Sequence, residues 1–150
     1  MGICQSNVKT NTYDLNRLDD TIELFSLENK KFETKIVKVY DGDTCFAVFL
    51  LNNQPVKFKI RMEGYDSPEM KPLLSQKNRE EEIEKAKKAK SELERLVLNK
   101  IVSLECGKWD KYGRLLGKIF VKENNKIIHV NDYMIKNGFG YPYDGGTKIN

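Results

Sequence analysis

The sequence predicts a mainly β fold with α+β content: a five-stranded barrel, a long helix between strands 3 and 4, a short C-terminal helix and a short N-terminal helix. Three observations carry this. Three β-like runs separated by turn residues follow one another between residues 35 and 61. A stretch dense in Glu, Lys and Ala, with one apolar stripe, occupies residues 75–99. Two further β-like runs and a short helical segment close the pattern. The chain has 150 residues, of which 39% are hydrophobic and 32% charged, which suits one soluble globular domain with a core of its own.

Residues 1–14 are polar, and Leu15, Leu18, Ile22 and Phe25 then recur at spacings of three and four, which predicts an amphipathic helix over residues 15–28. The β pattern begins near Phe32, with runs at Lys35 to Tyr40, Thr44 to Leu51 and Pro55 to Arg61. Asp41-Gly-Asp43 and Asn52-Asn-Gln54 supply the turns between them. From Ser75 to Asn99, Ile83, Ala86, Lys90, Leu93 and Val97 form one stripe, and Glu and Lys residues four apart cover the rest. Lys100 to Cys106 and Arg114 to Val121 give the last two strands, joined by the polar turn Trp109-Asp-Lys-Tyr-Gly113. Val130 to Asn137 is a short helix, with Gly138 where a helix-terminating glycine belongs. Five strands with a helix between the third and fourth match the Greek-key barrel called the OB-fold, whose face and loops commonly bind nucleic acid or sugars. The expected division is a polar arm over residues 1–30, the barrel over 31–143 and a tail over 144–150.

Composition excludes several classes. The longest apolar run, Cys45 to Leu51, is 7 residues, too short to cross a bilayer, and no secretory apolar segment opens the chain. Three cysteines, Cys4, Cys45 and Cys106, lack any C-x-x-C spacing, so a disulfide framework is not expected, and Cys45 and Cys106 read as small buried hydrophobes. One histidine, His129, leaves no His-rich zinc site, so any metal has to be held by oxygen. No EF-hand loop is present. A net charge of +4 tolerates a polyanionic partner without announcing one.

The chemistry gathers on two turns. Asp43 lies between the first two strands, and Asp66, Ser67 and Glu69 lie just past the third, with Pro68 stiffening the loop. Two aspartates on adjacent strand ends form a partial cage for a hard cation, and its open positions admit water and phosphate. Arg61 ends the third strand and Arg114 opens the last, so guanidinium forks stand beside the carboxylates, as a phosphoryl-group site requires.

Four segments, Val39-Tyr-Asp-Gly-Asp-Thr44, Arg61-Met-Glu-Gly-Tyr-Asp-Ser-Pro-Glu69, Asp110-Lys-Tyr-Gly-Arg114 and Val130 to Gly138, resemble in order the motifs of the staphylococcal nuclease family, over about residues 33–143. The resemblance implies that Asp43, Asp66 and the Ser67 carbonyl hold a calcium ion. It implies that Glu69 activates the attacking water, and that Arg61 and Arg114 grip the scissile phosphate. Lys111 and Tyr112 correspond to residues near a terminal phosphate, and Tyr141 and Tyr143 are candidates for stacking on a base. The implied reaction is calcium-dependent hydrolysis of DNA and RNA, single strands preferred, leaving 3′-phosphates, by a monomer. The archetypal family member carries a further helix after the region matching Tyr143, and the helix over residues 15–28 is expected to cover that side of the barrel instead. The competing reading is a catalytically silent nucleic-acid-binding barrel; another is a lipid-tethered adaptor.

Met1-Gly-Ile-Cys-Gln-Ser6 fits the pattern for myristoylation at Gly2, with Cys4 available for reversible palmitoylation. Two acyl chains would give stable anchoring. The expected location is therefore intracellular, tethered to the cytosolic face of a membrane, and not secreted.

Overall fold

The computed structural model describes residues 13–144. Gly2 and Cys4, the candidate acylation positions, and most of the expected C-terminal tail lie outside the described residues. The strands are β1 (Lys31–Asp41), β2 (Thr44–Leu51), β3 (Gln54–Met62), β4 (Tyr65–Asp66), β5 (Ile101–Trp109), β6 (Leu115–Glu123), β7 (Lys126–His129) and β8 (Tyr141–Pro142). The helices are α1 (Arg79–Val97) and α2 (Val130–Lys136).

Five strands run in the order β3-β2-β1-β5-β6, and a parallel pairing of β3 with β6 closes them into a barrel. Its other pairings are antiparallel, and β7 extends β6 as a hairpin. The β2–β3 and β6–β7 hairpins turn through Asn52-Asn53 and Asn124-Asn125, each pair having φ of 50° and 62°, the left-handed geometry that matches strand twist. Alternation does the rest: Cys45, Ala47 and Phe49 of β2 point inward, while Phe46 and Val48 lie on the outer face.

Helix α1 packs across β1 through Ala86, Ala89, Leu93, Leu96 and Val97. Ile83 and Lys90 of the expected stripe are only half-buried, and Ala89 and Leu96 take their share of the contact. Glu80, Glu81 and Glu82 in the first turn and Arg95 in the last complement the helix dipole. Helix α2 ends as the sequence predicts, with Gly138 at φ 77° and the Phe139 N–H donating to Met134 O at 2.9 Å.

The N-terminal helix expected over residues 15–28 shortens to one 3-10 turn, Leu15–Arg17. Leu15, Leu18, Ile22 and Phe25 are all exposed, so the apolar stripe is not buried against the barrel. Side chains compete with the helix ladder here. Asp14 accepts from Asn16 N–H at 3.1 Å, and Asp19 accepts from Thr21 N–H at 2.9 Å and from its hydroxyl at 2.6 Å, which ties the chain into local turns. Only Leu27 enters the core, so this segment does not cover the barrel as a helix.

Cys45 and Cys106 are buried free thiols, as expected. Burial pushes Cys45 up to about 12, with the Asp41 charge adding, and pushes Cys106 up to about 11. The thiolate is the reactive form, so neither cysteine should ionise until pH approaches those values. A Cys4→Ser variant is expected to stay unlabelled by an aromatic disulfide reagent between pH 7 and 9 (about 2 units or more below either thiol). Unfolding in denaturant should then release two equivalents, Cys45 and Cys106. Labelling of the native protein at pH 8 would show that the core opens on the assay timescale.

Candidate active site at the barrel pole

The site forms where the β1–β2 hairpin meets the end of β3. Asp41 pairs with Thr44 and Thr44 with Arg61, so the Asp41-Gly42-Asp43 turn and Arg61 come from neighbouring strands. The Met62 N–H donates to Asp43 O at 2.7 Å, and the Asp43 N–H donates to Asp41 Oδ1 at 3.1 Å. Gly42 is required by space. A Cβ there would lie 2.7 Å from Ser67 Cβ and 2.8 Å from Ala89 Cβ, so the turn sits wedged between the Asp66-Ser67 segment and α1.

Asp43, Arg61, Asp66 and Ser67 are all buried polar residues, and the structure brings them into direct contact. Arg61 Nη1 donates to Met62 O and Tyr65 O, both at 2.7 Å. Its Nη2 donates to Asp66 Oδ1 and lies 3.4 Å from Asp43 Oδ2. Asp43 Oδ2 also accepts from Ser67 N–H at 2.8 Å and from Ser67 Oγ at 3.1 Å, while Oδ1 accepts from the Thr44 hydroxyl at 2.9 Å. One guanidinium thus sits between two carboxylates. Burial pushes the nearby Asp41 carboxyl up to about 6, and the Asp43 charge adds to the rise.

Glu69 follows two residues beyond Ser67 on the exposed loop, and its N–H donates to Glu82 Oε1 of α1 at 3.1 Å. That bond ties the loop to the first turn of the helix. Arg114 arrives through barrel closure, because the parallel register Ile60↔Leu115 and Arg61↔Leu116 places it one residue before β6 meets β3. Asp110 fixes it: Arg114 Nε donates to Asp110 Oδ2 at 2.6 Å, and the Arg114 and Tyr112 N–H groups donate to Oδ1 at 2.9 and 2.8 Å. Burial works to raise the Asp110 carboxyl, and the hydrogen bonds from Arg114 and Tyr112 outweigh it, holding the group below its usual range. The exposed Tyr112 ring carries Lys111 Nζ at 5.1 Å and the Arg114 guanidinium at 5.5 Å from its centroid.

Tyr141 is brought to the site by β8, which pairs with β4 so that Tyr141 stands opposite Asp66 and Pro142 opposite Tyr65. The Tyr143 N–H donates to Gly64 O at 2.9 Å, two residues from Asp66, so both tyrosines border the pole. Three contributors escaped the sequence reading: Thr44, Asp110 and Tyr65, whose buried hydroxyl donates to Gly42 O at 2.8 Å. The i, i+4 spacing of Asp110 and Arg114 was a visible signal for one of them. Tyr65 and Thr44 lie inside the segments that resemble the family's motifs but carry no spacing that marks a role.

The donor set is all oxygen. Among the described residues no cluster of three or more His, Cys, Asp or Glu is placed to hold a metal ion, so the pole offers Asp43 and Asp66 as its carboxylate pair. Such a pair, anchored by Ser67, fits a hard cation that keeps water or phosphate oxygens over most of its shell, and does not fit zinc or another soft metal.

A profile of the family described as staphylococcal nuclease homologue matches residues 59–147, more than half of the chain. The chain belongs to the staphylococcal nuclease homologue family. The matched span holds Arg61, Asp66, Glu69 and Arg114, and the hairpin carrying Asp43 precedes it. The chain is similar to an uncharacterized protein of Methanocaldococcus jannaschii, 33% identical over 130 residues, which cover 77% of this chain and 61% of that protein. It is also similar to an uncharacterized 38.1 kDa protein of Capnoides sempervirens, 32% identical over 100 residues, which cover 65% of this chain and 25% of that protein. The chain thus spans less than two thirds of either relative.

Gly42→Ala is expected to cost about 1–3 kcal/mol through overpacking against Ser67 and Ala89, read as a lower urea midpoint with unchanged slope. An unchanged midpoint would show that the turn moves off α1 freely, and that the pole is looser than its contacts indicate.

Proposed function

We propose that this member of the family is a calcium-dependent nuclease that hydrolyses phosphodiester bonds of DNA and RNA with little sequence specificity. It prefers single strands and leaves 3′-phosphates. The observation that carries this reading is the buried Arg61 guanidinium gathered with Asp43 and Asp66 at the pole where Arg114 opens toward β6. Asp43, Asp66 and Ser67 are the residues that would hold calcium, which when bound supplies positive charge to the phosphoryl oxygens.

Arg61 is pre-oriented, since its Nη1 is fixed by two backbone carbonyls and its Nη2 faces the carboxylates beside which a phosphate would sit. Arg114 supplies the second guanidinium. Together they neutralise charge that builds on the phosphoryl oxygens in the transition state. Glu69 accepts a proton from the attacking water as the water oxygen bonds to phosphorus. The bond from phosphorus to the 5′ oxygen breaks, that oxygen takes a proton from solvent, and the phosphate stays on the 3′ side. Lys111 and Tyr112 border the path of a terminal phosphate, and Tyr141 and Tyr143 offer rings for a base.

The test incubates the protein with single-stranded DNA or RNA in calcium, in magnesium and in chelator. Degradation is expected with calcium and not with chelator. Glu69→Gln and Arg114→Ala should each lower the rate by about 100-fold or more. Glu69 is exposed and Arg114 is only half-buried, so these variants should keep the fold. Intact substrate in every lane with binding retained would replace this reading with the catalytically silent binding barrel.

Membrane attachment through acyl chains on Gly2 and Cys4 belongs to the same proposal, and the Met1 to Ser6 pattern supports it. The intact mass of the chain expressed with its own start in eukaryotic cells should equal that of residues 2–150 plus at least a myristoyl group, Met1 having been removed. An unmodified N-terminus would remove the attachment.

A further inference from the structure

The outer face of β1, β2 and β3 carries a cluster for which the pole has no use. Register places Lys38, Phe46 and Lys59 side by side across the three strands, with Lys35, Val48 and Lys57 in the next row. Lys38, Lys57 and Lys59 all approach the Phe46 ring, at 5.8, 5.6 and 5.8 Å from its centroid, and Lys59 lies 4.5 Å from the centroid of Tyr40. Tyr40 is 55% exposed. No acidic residue occurs in the spans 35–40, 46–48 or 57–59. Among the described residues, none of Lys35, Lys38, Lys57 or Lys59 forms an ion pair, whereas Lys85, Lys87, Lys90 and Arg95 of α1 are each paired with a glutamate.

Three unpaired cations around two rings, with Lys35 in the next row, repel one another, and cation–π attraction offsets only part of that. A polyanion would relieve the repulsion. The ring of Tyr40 adds a surface for an unstacked base, which single strands present and duplexes do not. The face is also continuous with the pole, since Lys57, Lys59 and Arg61 occupy alternate positions of β3, about 7 Å apart, and Thr44 pairs with Arg61 in the row after Phe46.

We propose that this face, Tyr40 and Phe46 with Lys35, Lys38, Lys57 and Lys59, is an extended binding platform for single-stranded nucleic acid running away from the scissile phosphate at Arg61. The platform rests on the nuclease reading for its continuity with the pole. Phosphates lie along the lysines and a base stacks on Tyr40. Substrates long enough to reach it bind more tightly than those confined to the pole.

The experiment measures binding of a fluorescent single-stranded 20-mer by anisotropy in chelator, over a range of salt, and separately measures hydrolysis of a dinucleotide in calcium. The double variant Lys57→Gln/Lys59→Gln should weaken 20-mer binding and reduce the salt slope by about 1.4, from two lost phosphate contacts in a single strand. Tyr40→Ala should weaken it about tenfold without changing the slope. Neither should alter dinucleotide hydrolysis. Unchanged 20-mer affinity in both variants would overturn the platform. So would parallel losses on the 20-mer and the dinucleotide, which would place the damage at the pole. Weakened binding to phosphatidylserine vesicles with 20-mer affinity intact would overturn it in favour of a membrane-facing surface. If the wild-type chain binds the 20-mer through this face yet cleaves neither substrate, the platform stands and the nuclease reading fails.

Discussion

The arrangement of the pole depends on one buried cation. Arg61 would be costly to bury alone, and each of its contacts solves part of that cost while fixing a different piece of chain. Nη1 gathers the carbonyls of Met62 and Tyr65, which folds the end of β3 back onto β4. Nη2 draws Asp66 and Asp43 together, two carboxylates that would repel each other at this separation without it. Asp43 in turn collects Thr44 and Ser67, so the β1–β2 turn and the segment after β4 are locked through a single side chain.

Barrel closure extends this local lock into a site. Without the parallel pairing of β3 with β6, the Asp110 to Arg114 turn would have no fixed relation to Arg61. Without β8 pairing with β4, neither Tyr141 nor Tyr143 would border Asp66. Helix α1 supports the same end from beneath. Ala89 approaches so closely that only glycine fits at position 42, and Glu82 holds the Glu69 loop by its backbone. The small side chain of Ala89 therefore serves the turn as well as the core, and it belongs to the buried face of α1 in place of Ile83 and Lys90, which are only half-buried.

Strands β1 to β3 and the turn at Asp41-Gly-Asp43 were legible because period-two alternation and turn chemistry are local. Arg61, Asp66, Glu69 and Arg114 were legible as a spaced set. The short strands were not. β4 and β8 have two residues each, and β7 has four, so they carry no period and exist because a neighbouring strand offers hydrogen bonds. The arm over residues 15–28 failed in the opposite direction, with a helical period in its sequence and no face to bury it against. Helical spacing gives a stable helix in water only when tertiary packing receives the apolar side, and here Asp14 and Asp19 offer the backbone a competing set of bonds.

Net charge of +4 hid a segregation that only the structure displays. Lys85, Lys87 and Lys90 of α1 are matched by glutamates a turn away, so the helix contributes many charges and little local field. Among the described residues Lys35 and Lys38 of β1 and Lys57 and Lys59 of β3 form no ion pair, and alternation puts them on one face with Tyr40, Phe46 and Val48 between them. The same total charge spread evenly would produce no preferred path for a polyanion. Concentrated on one face of the barrel and leading to a pole of opposite sign bridged by Arg61, it creates a gradient along β3. A strand held along the lysines would present its next phosphate to the Arg61 guanidinium, already held at Nη1 by two carbonyls, so the geometry that keeps the carboxylates together would also set where the strand is cut.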